Sequence, residues 1–241
     1  MPYLNRYLFL SLFIVHSTVQ ADWLDTLQDL ANDNTETSQA ALSNSDIEGA
    51  FKDALTVGSE NVVNQLGESG GFSEDSAIRI SLPDSLQTVK SSLDMVGMGD
   101  SLDDLEIKLN EAAESAVGQA QPLLLNAIQE MSWSDAKEIL NGPDDSATQY
   151  FKNKMSAPLS ESMKPIVNES LNEVGAIKSY NLIMDDYSDL PFAPDVKANL
   201  TDHVLDKSIE GVFYYMAVEE KAIRQDPAKR TTELLQKVFS E

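Results

Sequence analysis

The stretch ILNGPDDSATQYF, Ile139 to Phe151, sets two carboxylates side by side at Asp144 and Asp145. Paired carboxylates can divide general-acid and general-base roles, or hold a divalent cation. The residues around them suggest a second reading. Gly142 stands where a helix C-terminus favours a left-handed residue. Pro143 restarts the chain with a fixed φ. The two aspartates then fall in the first turn of the next helix, where carboxylates accept free N–H groups and meet the positive end of the dipole. Such bonds favour the ionised form and work against a general acid. The expectation is a joint between two helices, with a functional acid pair as the alternative.

Ser134-Asp-Ala-Lys137 matches an S-x-x-K pattern, in which lysine sits one helical turn from a serine nucleophile. The supporting S-D-N and K-T-G motifs are absent, so Ser134 reads as a helix-cap residue and Lys137 as a surface charge. The acidic stretches GDSLDD, Gly99 to Asp104, and DDYSDL, Asp185 to Leu190, could gather calcium, yet neither has the spacing of an EF-hand loop. Helix caps and solvated faces explain both, and no metal site is assigned.

GVFYYMAVEE, Gly211 to Glu220, has the most unusual composition. Val212, Phe213 and Met216 point one way at helical spacing, while Tyr214, Tyr215, Val218 and Glu219 cover other sides. A helix that is apolar nearly all round should be central or should line a cavity. Tyrosine hydroxyls with Glu219 or Glu220 could orient a ligand there. The candidate ligand-binding residues are therefore Tyr180, His203, Tyr214, Tyr215, Glu219 and Arg224. The competing reading is a buried helix whose hydroxyls bond to neighbours, with His203 an ordinary polar helix residue.

Composition narrows the chemistry further. The chain has 241 residues, no cysteine, two histidines, and 40 Asp+Glu against 17 Lys+Arg, for a net charge of −23. That charge repels nucleic-acid phosphates and anionic lipid, and leaves cations or basic protein patches as attractive partners. Arg6 followed by the short apolar run Tyr7 to Val15, with Val19 and Ala21 at the −3 and −1 places, reads as a secretory leader cleaved after Ala21; a retained signal anchor is the alternative. The mature chain would be soluble, with no membrane anchor, in the periplasm. It would carry a net charge of −24 and keep His203 as its one histidine. That excludes a cysteine nucleophile, disulfides, and zinc held by two imidazoles. A Ser-His-Asp triad could use only His203. With 7% aromatic residues, a polysaccharide cleft is a poor fit.

These residues must be positioned by helices, because the apolar period is helical almost throughout. Residues 1–21 form the leader. Residues 22–41 read as a short amphipathic helix over Asp22–Ala31 and a polar linker, and the folded domain covers 42–241. Ser45 and Glu48 form a capping box ahead of a face of Ile47, Phe51, Leu55, Gly58, Val62 and Leu66, ended by Gly67. Ala77 to Pro83 alternates and reads as an extended connector. A short helix over Asp84–Val96 precedes a long one from Leu102 to Met131, whose alanines invite close approach and whose Pro122 should kink or break it. Ser132 or Ser134 then caps a helix through Leu140. Further helices follow over Ala147–Met155, Pro158–Val174 (closed by Gly175), Ile177–Tyr187, about Asp195–Gln225, and Thr231–Phe239. The inner face of the long one near the end is Leu200, Leu205, Ile209, Val212, Met216 and Ile223. The fold class is all-α: a single compact bundle of about eight helices with short loops, one core and no substantial sheet.

Several segments together resemble one family. They include LSNSDIEGAFKDALTVGSENVVNQLG, LPDSLQTVKSSLDMVGMG, DDLEIKLNEAAE, ILNGPDDSATQYF, PIVNESLNEVGAIKSYN and the stretch from LPFAPDVKANL to LLQKVF. They look like the bacterial domain-of-unknown-function family numbered 4197, over about Leu42 to Phe239. The resemblance implies an exported protein of mainly Gram-negative bacteria. It brings no activity, cofactor or catalytic residue.

The function expected from the sequence is a non-enzymatic periplasmic module that binds an unknown protein or small molecule, with no cofactor. The alternatives are an apolar-ligand carrier with its pocket along Gly211–Glu220, and a carboxylate-dependent hydrolase.

Overall fold

The computed structural model describes residues 44–226, apart from 192, 194 and 195. The leader, the expected helix over Asp22–Ala31, the linker and the expected final helix over Thr231–Phe239 lie outside the described residues. Among the described residues seven α-helices follow in order: α1 Asn44–Gly67, α2 Asp84–Asp94, α3 Asp100–Glu130, α4 Trp133–Leu140, α5 Ser146–Glu173, α6 Ala176–Ser188 and α7 Leu200–Gln225. No strand occurs among the described residues.

The centre of the bundle is α3, which packs against α1, α5, α6 and α7. Its inner surface explains why. Ala112, Ala113, Ala116, Val117 and Ala120 are all buried, and small side chains let several helices approach one axis. A side chain at Gly67 would lie 3.3 Å from Gly118 Cα, so α1 ends with its backbone against α3. The main core joins all described helices except α4. A second, smaller cluster of Phe51, Met131, Ala136, Ile139 and Ala147 seats α4, where one core was expected.

Further expectations are corrected. Ala147–Met155 and Pro158–Val174 are one helix, α5, which runs through Pro158 and Pro165, just as α3 runs unbroken through Pro122. Each proline withholds one N–H from the carbonyl four residues earlier. All three prolines are exposed, and so are Gly118, Lys154 and Glu161, whose carbonyls are released, so water can take the lost bonds. Ser45 lies inside α1 rather than ahead of it, and Glu48 pairs with Lys52 Nζ at 2.8 Å. The last long helix starts at Leu200, because the Asn199 side chain accepts from Asp202 N at 3.1 Å and caps it there. Of the two places open to α7, the centre or a cavity wall, it takes the second: Tyr214 and Val218 are 49% and 45% exposed, and Tyr214 lines a surface cleft.

Other boundaries match their signals. Ser132, not Ser134, caps α4 through a reciprocal box with Asp135. Gly175 closes α5 at φ +77°. Residues 79–83 lie outside the helices and turns, and Ile78, Ile80 and Leu82 are buried while Arg79 and Ser81 are exposed, the period-2 alternation of an extended chain.

Candidate functional site

The acidic pair lies in the turn before α5, and its aspartates do not cap that helix. Asp145 is the N-cap residue but its side chain makes no cap bond. It accepts instead from Gln149 Nε2 at 3.1 Å, and Asp144 accepts from Gln225 Nε2 at 2.6 Å. The open N–H groups of the first turn go to another helix. Glu220 Oε1 accepts from Ala147 N at 2.8 Å, and Oε2 from Thr148 N at 2.9 Å and Thr148 Oγ1 at 3.0 Å. Arg224, one turn along α7, donates to Glu220 Oε1 at 3.0 Å and to the Ile139 carbonyl near the end of α4 at 2.9 Å. One buried ion pair thus joins the end of α4 to the start of α5. Its two charges lie at helix termini of the matching sign. The expected role of Gly142 changes with it. Its φ is not positive; a side chain there would lie 2.4 Å from Ser146 Oγ. Glycine is needed for space, not for handedness.

A second polar network pins the extended segment. Glu106, Asn110 and Glu114 recur every four residues along α3 and so share a face. Asn110 accepts from Ile80 N at 2.9 Å and donates to Ile80 O at 2.8 Å, as a neighbouring strand would. Glu106 accepts from Leu82 N at 3.3 Å and from Arg79 at 2.9 Å. Glu114 accepts from Phe72 N and Ser73 N, each at 3.1 Å. Sequence reasoning missed this ladder. Its signal was three polar residues at four-residue spacing within a leucine- and alanine-rich face.

The six candidate ligand residues do not form one site. His203 and Tyr214 share a half-open cleft of about 400 Å³ between residues 77–84 and α7, joined there by Arg79, Ser81, Lys207 and Glu210. His203 Nε2 donates to the Ser81 carbonyl at 2.7 Å, which fixes the hydrogen on that nitrogen. Lys207 pairs with Glu210 at 2.7 Å, and Gly211 lets Phe72 pack beneath, since a side chain there would lie 2.8 Å from Phe72 Cε1. Tyr215 faces elsewhere and donates to Asp75, a bond that together with burial pushes its phenol up to about 12. Tyr180, on α6, accepts from Ala198 N at 3.1 Å and holds the chain that leads into α7. Arg224 stands about 31 Å along the helix from His203. Glu219 lines a separate cavity of about 20 Å³ with Ser59 and Met216, and a neighbouring cavity is of similar size. Each has room for a single water.

Ser134 and Lys137 are both exposed on α4. Between α4 and α5, burial first and then a hydrogen bond to Asp135 push the Tyr150 phenol up to about 12, while Ser132 holds the Asp135 carboxyl below its usual value. Among the described residues no group of three or more His, Asp or Glu side chains is placed to hold a metal ion, and no helix is long and apolar enough to cross a membrane.

These features define an all-α domain whose described surface carries a mixed-charge cleft of about 400 Å³ beside α7 and another of about 380 Å³ between α4 and α5, lined by Asp135, Glu138 and Lys154. The chain belongs to the DUF4197 family, described as a protein of unknown function, whose model matches residues 41–240. That range takes in every described helix. No curated protein and no solved structure matches the chain.

Proposed function

We propose that the chain is an exported, non-catalytic binding module of the periplasm, with its recognition surface in the cleft between residues 77–84 and α7. The leader-like N-terminus supports export. One observation carries the binding role. The cleft is of ligand-pocket volume and gathers Arg79, His203, Lys207 and Glu210 at its surface, in a chain with only 17 Lys+Arg. The buried ionisable groups serve a different end: Glu114, Glu220 and Arg224 bond to backbone at helix and turn ends. The cleft outweighs the apolar-carrier reading, because cavities of about 20 Å³ beside Met216 do not admit a lipid chain.

The test is twofold. The chain expressed with its leader should be recovered from the periplasm beginning at Asp22, and full-length protein in the cytoplasm would reject export. Ligands should be sought by native mass spectrometry and periplasmic pull-down. Turnover of generic ester, phosphate or glycoside substrates that is lost with one acidic substitution would reject the non-catalytic reading.

A further inference from the structure

We infer that the cleft receives an extended segment of another exported protein, which pairs with the backbone of residues 79–81 as an added strand; this rests on the binding reading above. In an extended chain, N–H and C=O groups of successive residues point to opposite edges. One edge of this segment is closed by α3, through Ile80 N and O on Asn110 and Leu82 N on Glu106. Arg79 N is taken by the Asp75 carbonyl at 2.8 Å in the preceding turn, so the Arg79 carbonyl and both backbone groups of Ser81 are left to aim the other way, toward α7. Ser81 O does so, since it accepts from His203 of that helix. Arg79 O and Ser81 N have no partner among the described residues. The two exposed residues that flank Ile80 therefore offer one acceptor and one donor along the cleft.

That pair has a specific complement. In a parallel ladder a single residue donates its N–H to residue i−1 of its neighbour and accepts from residue i+1 through its C=O. One residue of an incoming extended chain can satisfy Arg79 and Ser81 together, opposite Ile80. The segment is held firmly enough to serve as a template, because Asn110 grips its other edge from the central helix. The α7 wall from His203 to Tyr214 is about 16 Å long, the reach of about five extended residues. Charge complements the backbone edge. Arg79 directs its Nε and Nη2 to one oxygen of Glu106, and among the described residues Lys207 bonds only Glu210, so both retain donors for an acidic side chain of the incoming segment. The cleft is half open, so a chain can enter without presenting a terminus. Strand addition to an exposed edge is an established recognition mode, with main-chain bonds supplying affinity and side-chain pockets supplying selectivity.

The probe is an arrayed library of acetylated, amidated hexapeptides screened against the full mature chain, with the tightest binder titrated by amide NMR. The expected result is a peptide that shifts and protects the Ser81 amide. Ser81→Pro, which deletes that donor, should weaken it at least tenfold, and Ser81→Ala should keep affinity within twofold. If Ser81→Pro melts early, N-methylation of the peptide residue opposite Ile80 removes the same pairing from the ligand side and should give the same tenfold loss. A library without binders overturns the inference, as does a binder indifferent to both changes. A tenfold preference for free termini also overturns it, in favour of a free peptide ligand. A small molecule that fills the cleft and ignores Ser81→Pro would sink the strand pairing while leaving the binding reading standing. Acid-dependent turnover would remove both.

Discussion

Glu220 and Thr148 meet across the α5–α7 contact, with one carboxylate oxygen holding both the Thr148 amide at 2.9 Å and its hydroxyl at 3.0 Å. The other oxygen holds Ala147 N and Arg224. The carboxylate that satisfies the start of α5 thus comes from 72 residues downstream rather than from the adjacent aspartates.

Removing that carboxylate should be costly. Glu220→Ala leaves two buried N–H groups and a nearly buried guanidinium without their anion, since the Arg224 side chain is 10% exposed. Breaking such a pair costs about 3–5 kcal/mol. Asp144→Ala and Asp145→Ala, which remove only single bonds to glutamine amides, should each stay within about 0.5 kcal/mol of wild type. Urea unfolding of the three variants checks this ordering. Equal losses at Asp145 and Glu220 would restore the aspartate as the cap.

Two glycines that end helices should respond to substitution in different ways. Gly175 has φ +77°, so Gly175→Asn, which tolerates the left-handed region, should be milder than Gly175→Val. Gly142 is limited by Ser146, whose Cβ would lie 2.7 Å from the first carbon of any side chain placed there, so every substitution overpacks it. Gly142→Ala and Gly142→Asn should both cost about 1–3 kcal/mol. The double variant Gly142→Ala with Ser146→Gly should regain most of that loss in thermal melts.

Asn110 is the residue on which the extended segment depends most. It is 1% exposed and serves both backbone groups of Ile80. Asn110→Leu fits the apolar surroundings but strands a buried donor and a buried acceptor, at about 1–3 kcal/mol for each. Beyond the lower melting temperature, amide exchange at Ile80 and Leu82 should speed up more than exchange in the middle of α3. Uniform acceleration would mean that Asn110 only fills space.

The legibility of the chain follows these same residues. Leucine and alanine spacing gave the long helices, because burial of one face dictates that period locally. Ser132 with Asp135, and Gly175, gave their boundaries, because cap and partner lie within four residues. The Gly142–Asp145 joint was legible as a joint, but its bonding was not. Glu220 reaches it through the tertiary fold, and the four-residue spacing of Glu220 and Arg224 reads equally well as an ordinary surface pair. The prolines do not end their helices, for a related reason: whether they do depends on whether water reaches the released carbonyl, which the order of residues does not reveal. Of the residues that line the cleft, His203 and Tyr214 on α7 stood out in the sequence. Arg79 and Ser81 were hidden, because a connector acquires a usable edge only once Asn110 has taken the other.

The last prediction concerns both ends of the pH scale. Tyr150 and Tyr215 are each raised from 10 to about 12, Tyr150 mainly by burial and Tyr215 mainly by its bond to Asp75. A raised folded pKa means that the folded state keeps its proton longer than the unfolded chain. Their contribution to stability is therefore intact below about pH 10 and is lost as pH climbs toward 12. Asp135 has the opposite sign: its pKa is lowered from 3.8 by Ser132, so its contribution is present above that value and fades as pH falls below it. Absorbance titration should find Tyr150 and Tyr215 ionising late. Asp75→Asn should bring Tyr215 down toward the others and leave Tyr150 late, while Ser132→Ala should flatten the fall in melting temperature below about pH 4. Loss of both late groups in Asp75→Asn would show that the substitution loosens the bundle as a whole, because α7 carries Tyr215 on the same helix as the Glu220 that secures the start of α5, three residues before Tyr150.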